Sequence, residues 1–134
     1  MTFMPSSGVE TTEFEWGSIG WLARPDNVPE CTGMCALDVR LNPGQAHDFH
    51  THPDQEEMII IKSGSVEQWI DGKKMRLNAG DACFIPKNIV HASFVDEDAD
   101  EPALILVVLS PSHGDEGYYA HDMSTEEPWA SIRS

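Results

Sequence analysis

The feature that most limits the fold of this chain is a succession of short β-rich runs, each ended by turn residues. CALDVRL, at 35–41, alternates apolar and polar side chains, which is the period of a half-buried strand. The dipeptide Asp71-Gly72 separates SVEQWI from KKMRL, and it favours a tight hairpin because both residues tolerate positive φ. Runs of this kind predict an all-β fold, either a sandwich or a barrel.

Strands are predicted along the middle of the chain, whereas strong helix signals are scarce before the C-terminal tail. Besides the segment around His50, the predicted strands are CALDVRL (35–41), MIIIK (58–62), SVEQWI (65–70), KKMRL (73–77), ACFIP (82–86), IVHASFV (89–95) and ALILVVL (103–109). We expect one domain, 1–134, with a core at about 35–110 and an arm at each end, because 134 residues fit a single domain. The tail EEPWASIRS forms either a short closing helix or an arm.

The charge balance limits the partners of the chain. Asp and Glu number 23 against 8 Lys and Arg, and the net charge of −15 repels nucleic acid and anionic membranes. No apolar run reaches the length of about 18 residues that a membrane helix needs. The N-terminus lacks the order of a signal peptide, so we expect a cytoplasmic protein. The acidic run DEDADE, at 96–101, is more typical of a solvated loop than of a metal site.

The three cysteines do not form a recognisable site. Cys31 and Cys35 are spaced as CTGMC, which differs from a CxxC redox or zinc motif, and Cys83 stands alone. We expect three free thiols, mostly buried, in a reducing compartment.

The segment HTHPDQEEMIII carries the densest chemistry of the chain. In a strand His50 and His52 share a face, and Thr51 points to the other one. On the next strand Glu57, Ile59 and Ile61 share a face, while Glu56, Met58, Ile60 and Lys62 share the opposite face. The unbroken apolar run predicts that both faces are covered. Parity favours Glu57 over Glu56 as the acid that faces the histidines.

Two spaced motifs carry a family resemblance. The first runs from Gly44 through His50, His52 and Glu57 to Gly64, and the second has Gly80, Pro86 and His91. Together they resemble the two motifs of the cupin superfamily, G-x5-H-x-H-x3/4-E-x6-G and G-x5-P-x-G-x2-H-x3-N. Asn88 stands where the family has Gly, and it is expected to keep the turn because Asn tolerates positive φ. Val95 replaces the family's Asn and by strand parity points inward.

The resemblance implies a small antiparallel β-barrel of the jelly-roll type that binds one divalent ion. By analogy the metal ligands are His50, His52, Glu57 and His91. Three imidazoles and one carboxylate suit Fe, Mn, Ni, Cu or Zn, and affinity order does not choose among them. The residues predicted to line a substrate pocket are Ile59, Ile61, Gln68, Ser93 and Val95.

Two classes of function remain open for a small-molecule ligand. One is a metal-dependent enzyme, either an oxygenase such as a dioxygenase or an isomerase or lyase. The other is a non-catalytic barrel that senses or stores a small molecule. Apolar edge strands are normally covered by another part of a protein or by a partner. The apolar strand 103–109 therefore predicts a homodimer in which N-terminal residues cross between the subunits. We expect Trp16 and Trp21 to pack on the barrel, and His47, His113 and His121 to lie on the surface.

Overall fold

Two antiparallel sheets face each other around one core in the computed structural model, which describes residues 1–134. The strands are β1 (Thr11–Phe14), β2 (Gly17–Ala23), β3 (Cys35–Leu41), β4 (Ala46–Thr51), β5 (Glu56–Ser63), β6 (Ser65–Ile70), β7 (Lys73–Asn78), β8 (Ala82–Ile85), β9 (His91–Phe94), β10 (Ala103–Ser110) and β11 (His121–Asp122). The first sheet has the order β1-β2-β3-β10-β5-β8 and the second has the order β11-β4-β9-β6-β7. The only helical element is a 3-10 turn at Ser6–Gly8. None of the chain forms a helix with the length and hydropathy of a membrane span. The prediction of an all-β jelly-roll barrel is confirmed.

The turn chemistry explains why the strands end where they do. Asp71 and Gly72 have φ values of 49° and 80°, so the β6–β7 hairpin has the positive-φ turn that the dipeptide predicts. Asn88 has a φ of 60°, and it therefore keeps the turn for which the family motif uses Gly. Both β3 and β6 have the bounds that alternation predicts. The strands β1 and β2 were not predicted, because β1 has only four residues and Gly17 and Gly20 interrupt the pattern of β2.

The core lies between the sheets and takes its side chains from alternate positions. In β3 the odd-numbered residues 35, 37, 39 and 41 are all buried, and in β10 the same holds for 103, 105, 107 and 109. Ile59 and Ile61 of β5 and Val95 after β9 belong to the same cluster. This period of two is the signature that the sequence shows, and it fixes the inner face of each strand.

Two expectations about these strands are wrong. The outer face of β5 is not covered, because Met58 and Lys62 are exposed and Ile60 is only half-buried. The apolar strand β10 is not an edge, because it pairs with both β3 and β5 inside the sheet. An uncovered apolar edge therefore gives no reason for a homodimer, and assembly stays a prediction.

The C-terminal tail forms an arm and not a helix, and it covers the outer face of the second sheet. Met123, Trp129 and Ile132 pack on a small cluster made by Phe49, Trp69, Ala92 and Phe94. The arm is also fixed by charge, since Arg133 Nη2 lies 2.8 Å from Glu67 Oε2. Thr51 lies on this covered side. It was expected to be exposed because it points away from the histidines, but it pairs with His121 and is buried.

The remaining expectations concern loops and thiols. The acidic run at 96–101 is a loop between β9 and β10, as expected. All three cysteines are free, which confirms that prediction, although only Cys35 is fully buried. Burial raises the pKa of the Cys35 thiol to about 12, so it is not a nucleophile at neutral pH.

Candidate metal centre

Three histidines from two neighbouring strands converge inside the barrel. His50 lies in β4, His52 follows directly after the end of that strand, and His91, the first residue of β9, pairs directly with His50. Their exposures are only 5%, 4% and 2%. One ring nitrogen of each lies within 4.8 Å of the other two, which is a spacing that a single ion can bridge.

Backbone carbonyls fix the orientation of all three rings. The Nδ1 atoms of His50, His52 and His91 lie 2.6, 2.9 and 2.9 Å from the carbonyl oxygens of Asp48, Tyr119 and Ile89. A carbonyl can only accept a hydrogen bond, so each Nδ1 carries the proton and donates it. Each neutral ring then keeps its lone pair on Nε2, the atom that would bind a metal. Such outer hydrogen bonds are typical of histidines that bind metals.

The carboxylate of Glu57 meets two of these lone pairs. Its Oε1 lies 2.8 Å from His91 Nε2 and 3.4 Å from His52 Nε2. Glu57 Oε1 and His91 Nε2 are both buried without a hydrogen-bond partner, so two electron-rich atoms face each other. Only a proton or a cation between them makes this arrangement favourable. Two donors at about 2.1 Å from one first-row ion lie about 3 Å apart in adjacent positions, so the spacing fits a metal.

The protonation states favour a cation as well. Burial raises the pKa of Glu57, but the close contacts of its carboxylate with His91 and His52 outweigh burial, so the net pKa is lowered and the side chain is ionised. Burial lowers the pKa of His50 well below its ordinary value, and the neighbouring histidines lower it further. Burial also lowers the pKa of His52, but the hydrogen bond and charge of Glu57 outweigh it and the net shift is upward. The site therefore holds a buried carboxylate, whose negative charge favours a cation beside it.

Strand parity places the two candidate acids as expected. Glu57 is buried and faces the histidines, whereas Glu56 is exposed on the outer face of β5. The structure thus brings together the four residues predicted as ligands. The ring nitrogens that lie within 4.8 Å of one another belong to the three histidines, and Glu57 contacts two of these rings. Their role as ligands stays a prediction.

A small cavity of about 30 Å³ adjoins this site. It is lined by Trp16, Ile19, Leu37, Val39, His47, His52, Glu57, Val107, Leu109 and Tyr118. The five residues predicted to line a substrate pocket, Ile59, Ile61, Gln68, Ser93 and Val95, are all buried in the barrel, but none of them lines this cavity. Gln68 and Ser93 instead bond to each other, with Ser93 Oγ donating to Gln68 Oε1 at 2.6 Å.

His47 joins the site although parity and composition predicted a surface residue. Its ring stacks between Trp16, at a centroid distance of 4.2 Å, and His50, at 3.7 Å. The cause is an irregularity in the β4–β9 pairing between His47 and His50, which puts two residues of opposite parity on one side. Burial lowers the pKa of His47 to about 3, so its ring is neutral. This position could have been predicted only if a bulge between His47 and His50 had been assumed.

Tyr118 also escaped prediction, because it comes from a segment far along the chain. Gln55, which is 1% exposed, fixes that segment through both ends of its amide. Its Nε2 donates to Pro111 O at 2.7 Å and Gly117 O at 2.9 Å, and its Oε1 accepts from the Tyr119 N–H at 3.2 Å. The segment closes one end of the barrel beside His52, whose Nδ1 bonds to Tyr119 O.

Comparison with known proteins agrees with this architecture. A family model described as the cupin domain matches residues 37–109. Tetracenomycin polyketide synthase protein TcmJ of Streptomyces glaucescens is 25% identical over 105 residues, which cover 78% of this chain and 68% of that protein. Oxalate decarboxylase OxdC of Bacillus subtilis (strain 168) is 27% identical over 109 residues, covering 78% of this chain and 28% of that protein.

The fold is also found in solved structures of low sequence identity. Polyketide cyclase RemF from Streptomyces resistomycificus has a TM-score of 0.75 and 16% identity, covering 100% of this chain and 94% of that one. The chain spans about two thirds of the length of TcmJ and little more than a quarter of the length of OxdC. The family model covers more than half of the chain and includes all four predicted ligands, so this protein belongs to the cupin family.

Proposed function

We propose that this protein is a metal-dependent enzyme in which His50, His52, His91 and Glu57 hold one divalent ion. The observation that carries the proposal is the buried contact of 2.8 Å between Glu57 Oε1 and His91 Nε2, neither of which has a hydrogen-bond partner. Each histidine Nδ1 donates its proton to a backbone carbonyl, which leaves Nε2 of each ring as the atom that can bind a metal. The three rings are close enough for one ion to bind all of them. Iron, manganese, nickel, copper and zinc each accept such a donor set.

The reaction that the residues support best is isomerase or lyase chemistry on a small organic molecule. A divalent ion supplies Lewis acidity to a carbonyl or enolate oxygen when it is bound. Tyr118 lines the cavity and can donate a proton, whereas the lowered pKa of His47 makes its ring a weak base. Burial raises the pKa of Tyr118, which keeps its hydroxyl protonated at neutral pH. The relatives named as a polyketide cyclase and an oxalate decarboxylase support this class over the oxygenase.

The apolar wall contributes by excluding water from the reacting groups. Leu37, Val39, Val107 and Leu109 of the first sheet face the histidines across the cavity. In such surroundings a hydrogen bond or charge acts more strongly than in water. The His50 ring stacks on His47, which in turn stacks on Trp16, and this stack restrains the His50 ring.

The decisive measurement is metal content per chain, determined by elemental analysis on protein purified without a chelating tag. We expect close to one ion in the wild type, and a loss of most of it in His50→Ala and Glu57→Gln. Glu56→Gln is the matched control, because the same change is made one residue away on the exposed face. Equal metal content in Glu57→Gln and Glu56→Gln would overturn the ligand assignment.

A second measurement separates the classes of reaction. Metal-loaded protein is mixed with a 1,3-dicarbonyl probe in D₂O, and exchange of the α-protons is followed by NMR together with O₂ uptake. Exchange without O₂ uptake supports the isomerase or lyase. Steady O₂ uptake supports the oxygenase, and bound metal with neither process supports the binding barrel.

A further inference from the structure

A recess on the surface of the barrel adjoins the small cavity beside Glu57. Its volume is about 570 Å³, against about 30 Å³ for the cavity beside Glu57. Tyr118 belongs to the wall of both spaces. We call the recess the Tyr118 groove, and it is formed mainly by Phe14, Trp21, Arg24, Asp115, Tyr118 and Tyr119.

The sizes of the two spaces indicate different occupants. A cavity of about 30 Å³ holds about one or two water molecules, and no organic molecule fits there. The groove is within the range of small-molecule sites, which is roughly 300–1,000 Å³. A substrate of the proposed enzyme therefore needs the groove for most of its volume, and only its reacting end can approach the histidines.

The walls of the groove are aromatic on several sides. Phe14, Trp21, Tyr118 and Tyr119 all line it. The Tyr118 ring lies 6.0 Å from Trp21 in the groove and 6.0 Å from His52 in the cavity, so it stands between the two spaces. Aromatic walls at these distances favour a planar ring, which gains offset-stacked and edge contacts there.

The charges around the groove exclude anions. Asp26, Asp115 and Glu116 line it, and Arg24 is the one cation among the lining residues. The Arg24 guanidinium is already engaged: it lies 3.5 Å from the Trp21 ring centre and its Nη2 lies 3.5 Å from Asp26 Oδ2. Its Nη1 also donates to Glu116 O at 3.2 Å. Three carboxylates against one paired guanidinium repel a carboxylate ligand and leave an uncharged one unaffected.

We propose that the Tyr118 groove binds the ring of an uncharged planar aromatic substrate, and that the reacting end of this substrate points past Tyr118 to the histidine site. The proposal rests on the proposed function and adds its substrate class. It excludes small dicarboxylates from the groove, because three carboxylates line the groove against the single cation Arg24, which is already paired with Asp26. The aromatic walls supply the affinity, and the acidic rim supplies the discrimination against anions.

The test uses metal-free protein, so that its result does not depend on the ligand assignment. Two probes of the same ring size are titrated at pH 7 and followed by ¹H–¹⁵N NMR: 2-naphthol, which is uncharged, and 2-naphthoate, which is an anion. We expect 2-naphthol to shift the amides of residues 115–120, and 2-naphthoate to bind at least tenfold more weakly. Equal binding of the two probes, no binding of 2-naphthol, or shifts confined to another part of the chain would overturn the proposal.

Variants locate the binding and its charge selection. Tyr119→Ala removes a groove ring that is 46% exposed and should weaken 2-naphthol binding at least fivefold. Phe84→Ala is the matched control, because it removes a ring that is 51% exposed on β8, outside the groove.

The triple change Asp26→Asn, Asp115→Asn and Glu116→Gln should bring the affinity for 2-naphthoate within about threefold of the affinity for 2-naphthol. An unchanged preference in the triple variant, or equal effects of the two alanine variants, would contradict the proposal. Loss of metal from the site would leave these results unaltered and would count only against the proposed function.

Discussion

Replacing Gln55 by Leu tests whether one buried amide closes the end of the barrel. Leu fills a similar volume, so the change removes hydrogen bonds without leaving a large cavity. The amide makes three bonds, to Pro111 O, to Gly117 O and from the Tyr119 N–H. At about 1 kcal/mol for each backbone group left unpaired, the expected loss is about 3 kcal/mol. That is a large share of the roughly 5–15 kcal/mol by which a domain is stable.

Urea unfolding at pH 7 measures this loss. With a slope of about 2 kcal/mol per M, the midpoint of Gln55→Leu should fall by about 1.5 M. Gln45→Leu is the matched control, because Gln45 is half-buried and its side-chain amide makes only two bonds, accepting from Asn42 N–H and donating to Glu15 O. Hydrogen exchange of the Gly117 amide, which bonds to His113 O, shows whether the segment opens locally. Equal midpoints for the two variants, with Gly117 still protected, would refute the reasoning.

Three further predictions follow from the packing and the charges. The pKa of Glu67 is lowered, chiefly by its hydrogen bond from Arg133, so the stability that this pair adds is present above the ordinary carboxyl pKa of about 4.3 and is lost as pH falls through the lowered value. Arg133→Ala should flatten this part of the stability–pH curve, measured by urea midpoints from pH 7 to pH 3. Leu109→Ala should cost about 2–5 kcal/mol because Leu109 is buried in the core, whereas Met75→Ala, on an exposed position, should cost little in the same unfolding assay. Val95→Asn, which restores the family's residue, should lower stability by about 1–3 kcal/mol because it buries an amide in an apolar cluster, and unchanged stability would show that the amide finds partners.

The parts of the site that sequence could predict are those that depend on local spacing. The HxH pair and the choice of Glu57 over Glu56 follow from strand parity, which holds along β4 and β5 as long as each strand stays regular. His47 was misplaced because the pairing of β4 with β9 shifts, and a shift in pairing depends on both strands together. Parity alone cannot detect such a shift.

Long-range closure explains the other differences. Tyr118 reaches the cavity only because Gln55, which is more than sixty positions earlier, binds its segment. Nothing in the Gly-rich and acidic sequence around Tyr118 marks it as a wall residue. Of the five predicted pocket residues, Ile59, Ile61, Ser93 and Val95 follow from strand parity with Glu57 and His91, whereas the parity of Gln68 is not fixed by the sequence. Parity gives the inner face of a strand but not the depth at which the cavity lies. The cavity lies against β2, β3 and β10, which supply five of its lining residues.

The C-terminal arm has a consequence for how the protein tolerates cleavage. Phe49, Trp69 and Phe94 are shielded by a tail that has no helix or long strand to protect its own backbone from proteases. A single cut before Met123 would therefore leave the barrel strands intact and uncover a contiguous aromatic surface on the second sheet. Such a surface promotes association between copies. Damage to the tail would thus first be detected as aggregation, while the histidine site inside the barrel stays assembled.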